Sequence, residues 1–149
     1  MRLAIRTYKE LFNKLNIVLI QNLEQMGYHA NAIITDFIQH YYDEYDPSSY
    51  DRTYQFLDSC VNSHVSKEGN KYVIDIFIDY HNLKYSIRNS KQVVEWANQG
   101  LHGGYDVVDD HSHFWNDAMY SLKEDEKCIL IKDFVKFLEQ RTGCKARMR

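Results

Sequence analysis

Tyr41-Tyr42-Asp43-Glu44-Tyr45-Asp46-Pro47-Ser48-Ser49-Tyr50-Asp51-Arg52-Thr53-Tyr54-Gln55-Phe56-Leu57-Asp58-Ser59 divides this chain. It carries five of the twelve tyrosines and the one proline. Proline lacks an amide proton and disfavours helix at the preceding residue, so Asp46-Pro47-Ser48-Ser49 reads as a turn. Helical periodicity precedes the stretch and alternating strand periodicity follows it. The segment is therefore the junction between a helical half and a β half.

Upstream, Tyr8, Leu11, Phe12, Leu15, Val18, Leu19 and Met26 recur at three- and four-residue steps, which predicts a helix over 7–26. Thr7 and Glu10 form a capping-box pattern at its start, and Gly27 reads as its stop. Ile33, Ile34, Phe37, Ile38, Tyr41 and Tyr42 predict a second helix over about 30–43, giving an αα-hairpin. A tyrosine stripe at helical spacing serves packing or an interface before it serves a ligand.

Downstream, Ser49 caps an expected short helix over 49–60, anchored by Tyr50, Tyr54 and Leu57 with Arg52 projecting outward. A hairpin follows, turning at Lys67-Glu68-Gly69-Asn70. Tyr72, Ile74, Ile76, Ile78 and Tyr80 alternate with Val73, Asp75, Phe77 and Asp79. The first set belongs against the helices; the second faces solvent or a neighbour. A further strand is weakly indicated around 83–87. Residues 90–99 read as a helix capped by Ser90 and ended by Gly100, 101–112 as a loop, and 113–142 as a long, bent helix stopped by Gly143.

The sequence thus reads as one domain, 1–149, of the α+β class: an N-terminal helical hairpin, a small antiparallel sheet built on a β-hairpin, and a long C-terminal helix. A net charge of −3 gives no reason to expect a specific nucleic-acid partner, and the basic end Lys145–Arg149 reads as solvated. Cys60, Cys128 and Cys144 form no C-x-x-C pair, which fits buried thiols in a reducing compartment. No run of about 18 apolar residues spans a membrane, and charges interrupt the first ten residues too soon for a secretory signal.

The residue types for metal binding gather in one place: His102, Asp106, Asp109, Asp110, His111 and His113. A small metal-dependent enzyme using His102, Asp109, His111 and His113 is therefore the alternative reading, although His-x-His alone is unspecific and a polar loop capping the next helix explains the same residues. There is no G-x-S-x-G, P-loop or G-x-G-x-x-G pattern, so the sequence nominates no catalytic residue and no cofactor. A regulatory interaction domain is a third possibility, supported only by the binding habits of such small α+β layouts.

The layout resembles the tail-completion or head–tail joining (neck) proteins of long-tailed bacteriophages, the minor tail protein Z type. Tyr50-Asp51-Arg52-Thr53 with Leu57 and Ser59 is similar to that family's Tyr-x-Arg-Thr segment. Val93-Val94-Glu95-Trp96-Ala97-Asn98-Gln99-Gly100 with His102-Gly103 is similar to its valine–glutamate helix with trailing glycine and histidine. Phe114-Trp115-Asn116-Asp117-Ala118 opens a similar C-terminal helix. Tyr54 replaces the family's glycine after Arg-Thr, and Asp109–His113 replace its proline before the last helix. The resemblance implies a non-catalytic virion protein assembled in the host cytoplasm. It implies a homo-oligomeric ring at the neck, contacting the connector or stopper and the tail tube or tail terminator. The expected interface residues are Tyr50, Arg52, Thr53, Tyr54, Phe77, His102 and Tyr105, with no metal and no cofactor.

Overall fold

The computed structural model describes residues 7–44, 54–85, 89–102, 105–106, 113–123, 129–143 and 145. One helix, α1 (Tyr8–Glu44, 37 residues), runs through the whole N-terminal region. The expected helical hairpin is thus corrected to a single rod. Its apolar stripe keeps one phase through Met26, Ala30, Ile34, Ile38 and Tyr41, so nothing in the pattern calls for a turn at Gly27. A mid-helix glycine costs about 1 kcal/mol relative to alanine, which tertiary packing offsets. At Gly27 the hairpin comes close: a Cβ there would run into Cδ1 of Ile74. At the rod's start Thr7 Oγ1 accepts the Glu10 amide proton at 3.2 Å, half of the expected capping box.

Leu57–Ser59 form a single 3₁₀ turn. Of the expected helix over 49–60, residues 49–53 lie outside the described residues, and no α-helix is present over 54–60. Strands β1 (Cys60–Asn62), β2 (Ser66–Glu68), β3 (Lys71–Val73) and β4 (Ile76–Ile78) then form one interrupted hairpin. β1 pairs antiparallel with β4, Asn62 facing Ile76, and β2 with β3, Ser66 facing Val73. Three residues, 63–65, therefore oppose two, 74 and 75. That is a bulge, held by Ser63 N donating to Asp75 O (2.8 Å) and Asp75 N donating to Ser63 Oγ (3.0 Å). Gly69 makes the tip with φ +60°. Ile76 and Ile78 face the core and Phe77 faces out, as the alternation predicts. No strand is present at 83–85; Leu83 is buried there in an irregular segment.

Helix α2 (Ser90–Asn98) is capped one residue earlier than expected, by Asn89, whose side chain accepts from Lys91 N. Gly100, two residues past its end, has φ +72°. The region expected to be wholly loop contains a two-residue ladder, β5 (Leu101–His102) with β6 (Tyr105–Asp106). The single bent C-terminal helix is two helices, α3 (Phe114–Lys123) and α4 (Ile129–Thr142), with Gly143 at φ +71° after the second. Among the described residues the sheet content is thus three separate two-stranded ladders rather than one sheet.

The core forms where α1 meets the rest. Ala30, Ile34, Ile38 and Tyr41 pack with Phe56, Cys60, Ile78, Leu83, Val94, Ala97, Phe114, Ala118 and Leu122. Asn31 Nδ2 donates to the Cys60 carbonyl at 2.9 Å and Thr35 Oγ1 to Asn31 Oδ1 at 3.2 Å, tying α1 to β1. Helix α4 lies antiparallel on α1. His29 Nδ1 meets Asp133 Oδ2 at 2.5 Å, and Arg141 Nη1 donates to Gln21 Oε1 at the helix's far end. Beyond Gln21, towards the start of α1, no described residue is fully buried.

Candidate interaction site

The site is an apolar cleft of about 220 Å³ between β4, α2 and the first turn of α3. That is below the roughly 300–1,000 Å³ of small-molecule pockets and suits one or two protruding side chains. Phe114, 1 % exposed, forms the floor with Val94. Phe77, 45 % exposed, and Tyr80 form one wall, and Trp115 the other. Glu95 and Asn98 supply polar groups at the rim.

Each wall has a local cause. Strand alternation turns Phe77 outward between inward Ile76 and Ile78. Asn98, the last residue of α2, holds the start of α3. Its Oδ1 accepts from Trp115 N at 2.9 Å and its carbonyl from His113 N at 2.7 Å. Trp115 is thereby fixed against the cleft. The floor is braced from behind by rings from the tyrosine-rich junction. Phe114 stacks edge-to-face on Phe56 (5.1 Å between centroids) and lies 5.8 Å from Tyr41, and Tyr42 packs on Phe56 and Tyr54. Burial, and then the negative charge of Glu95, push the Tyr80 hydroxyl above its ordinary pKa. Tyr80 thus presents a neutral donor at the lip.

Of the residues expected at an interface, Phe77 is in the cleft. Tyr54 is 47 % exposed with φ +53° and keeps its ring on Tyr42, while Phe56, 3 % exposed, is the buried ring of the junction. Tyr50, Arg52 and Thr53 lie outside the described residues. His102 and Tyr105 face each other across the β5–β6 ladder, and their side chains are not among those described. Of the metal alternative, Asp109 and His111 lie outside the described residues. His113, at φ +77°, accepts from Asp117 N at 2.9 Å and so starts α3. Among the described residues no three His, Cys, Asp or Glu side chains cluster as a metal site, and no helix is long and apolar enough to cross a membrane. Tyr80, Glu95, Asn98 and Trp115 carry no sequence signal marking them as a group, because three separate elements bring them together.

The YomN family profile matches residues 7–140, from the first turn of α1 to the last turn of α4. The chain belongs to the YomN family. The match covers α1, the hairpin, the cleft and both C-terminal helices of this YomN chain. No curated protein and no solved structure matches it significantly.

Proposed function

We propose that this YomN-family chain is a structural virion protein of a tailed phage or prophage, forming a ring in the neck or tail-completion region between connector and tail tube. The observation that carries the reading is the cleft walled by Phe77, Tyr80 and Trp115, an exposed aromatic surface. Aromatic side chains in a preformed pocket are what a recurring protein–protein contact uses. The segments Tyr50–Thr53, Val93–Gly100 and Phe114–Ala118, similar to those of neck proteins, support the same reading.

Its partners on this reading are further copies of itself, the connector or stopper, and the tail tube or terminator. The test is co-elution of the purified full chain with connector and tail-tube proteins of a tailed phage. Binding to at least one of them is expected, and Phe77→Asp should weaken self-assembly or this binding at least tenfold. A chain that stays apart from both, at any stoichiometry, contradicts the proposal.

A further inference from the structure

A two-stranded ladder has two outer edges, and each carries backbone groups that need partners. In the β1–β4 ladder the bonds fix which groups those are. Ser63 N donates to the Asp75 carbonyl and Asp79 N to the Ser59 carbonyl, both at 2.8 Å. Val61 faces Phe77 midway between them. Bonded and unbonded pairs alternate along an antiparallel ladder, so Val61 and Phe77 exchange both of their hydrogen bonds. The backbone groups of Cys60 and Asn62, and of Ile76 and Ile78, therefore point outward to the two edges.

The two edges differ. The β1 edge is covered by α1, where Asn31 Nδ2 donates to the Cys60 carbonyl at 2.9 Å. On the β4 edge the Ile78 carbonyl accepts from Tyr80 N at 3.1 Å. The Ile76 N–H, the Ile76 carbonyl and the Ile78 N–H bond to no described residue. The same three residues, Ile76, Phe77 and Ile78, all line the apolar cleft. Successive side chains of a strand point to opposite faces, so a cleft that touches all three meets the strand along its edge. Val94 and Asn98 of α2 and Trp115 of α3 form the facing walls. The free edge of β4 is thus recessed in an apolar surrounding, where unpaired backbone groups are costly.

We propose that the cleft takes an extended segment of a partner protein, which adds to the free edge of β4 as a third strand. The unpaired groups specify this occupant. Two donors flanking an acceptor along one edge match the backbone of another strand, whereas a helix has already bonded its own backbone groups internally. The β4 edge of a second copy does not fit, because it is recessed between the same walls. The segment is apolar at alternate residues. Side chains turned inward reach Val94 and Phe114, and those turned outward lie beside Phe77. Proline is excluded at the residue whose N–H meets the Ile76 carbonyl. The inference rests on the cleft being the partner contact, and not on the partner being a neck protein.

The probe is a displayed library of random linear peptides, selected on the purified full chain. Peptides are kept when Phe77→Asp, checked for its fold by far-UV circular dichroism, weakens their binding. Amide hydrogen exchange then follows the complex residue by residue. In the free chain the Ile76 amide should exchange faster than the Phe77 amide, which Val61 holds. With peptide bound, the Ile76 and Ile78 amides should slow at least tenfold and the Phe77 amide should change little. Methylating the peptide nitrogen that meets the Ile76 carbonyl should weaken binding at least tenfold; methylating the next nitrogen, which points away, should not. Four results overturn the proposal: no peptide selected, an Ile76 amide as protected as Phe77 in the free chain, no slowing on binding, or equal sensitivity at neighbouring nitrogens. The same exchange measurement separates this inference from the neck reading. Connector or tail proteins that bind through Phe77 yet leave Ile76 and Ile78 unchanged would sink strand addition alone. Peptides that slow both amides, in a chain that ignores connector and tail proteins, would sink the neck reading alone.

Discussion

At Gly27 an added Cβ would press on the Cδ1 methyl of Ile74, where the hairpin crosses α1. Alanine is worth about 1 kcal/mol more than glycine in a helix interior, but overpacking costs about 1–3 kcal/mol. Gly27→Ala is therefore expected to destabilise the protein by about 1 kcal/mol. In an Ile74→Val background, which lacks that methyl, the same change should be neutral or stabilising. Denaturant midpoints for the four proteins of this cycle check it; additive effects would mean the two positions do not meet. Asn22 is buried on the same rod, and its amide nitrogen and oxygen have no hydrogen-bond partner among the described residues. An unsatisfied buried amide costs about 1–3 kcal/mol, so Asn22→Leu should raise the melting temperature, and a lower one would reveal a partner for the amide. Cys60 is a buried thiol held up at about 11 against an ordinary 9.0, by burial, with the Thr35 hydroxyl opposing weakly. The folded thiol keeps its proton where the unfolded chain has lost it. Stability is therefore expected to fall as pH rises from about 9 to about 11. Cys60→Ala should show a shallower alkaline slope in chemical unfolding, and an identical slope would contradict the assignment.

The elements show which physical signals a sequence transmits. The alternation from Ile74 to Ile78, the outward turn of Phe77 and the stops at Gly100 and Gly143 were all readable, because each depends on local chemistry. The cleft was readable only in Phe77, since Tyr80, Glu95, Asn98 and Trp115 meet through the packing of β4, α2 and α3. Gly27 misled because its local preference for a stop is smaller than the continuity of the stripe from Met26 to Tyr41. The bulge at 63–65 was invisible because Asn62 to Ser66 carry no glycine signal. The rod itself divides into two regimes. Ile34 and Ile38 are fully buried, so Ile34→Ala should cost about 2–5 kcal/mol. Phe12→Ala, on the exposed first part of α1, should change the stability of the monomer by less than about 0.5 kcal/mol. Amides of Tyr8–Leu19 should exchange with solvent faster than those of Ala30–Tyr41 in the dissociated chain. Equal protection along α1 would show that its first part is packed.

As a whole, the molecule is a long rod with a compact α+β body on one part and exposed apolar side chains at its start. On the neck proposal, the cleft walled by Phe77, Tyr80 and Trp115 is the surface that meets a partner. The most direct measurement is a set of two-dimensional class averages of the purified full chain by electron microscopy. The account predicts closed rings that disappear with Phe77→Asp. Particles of single-copy size at the highest soluble concentration, with no ring among them, would contradict it.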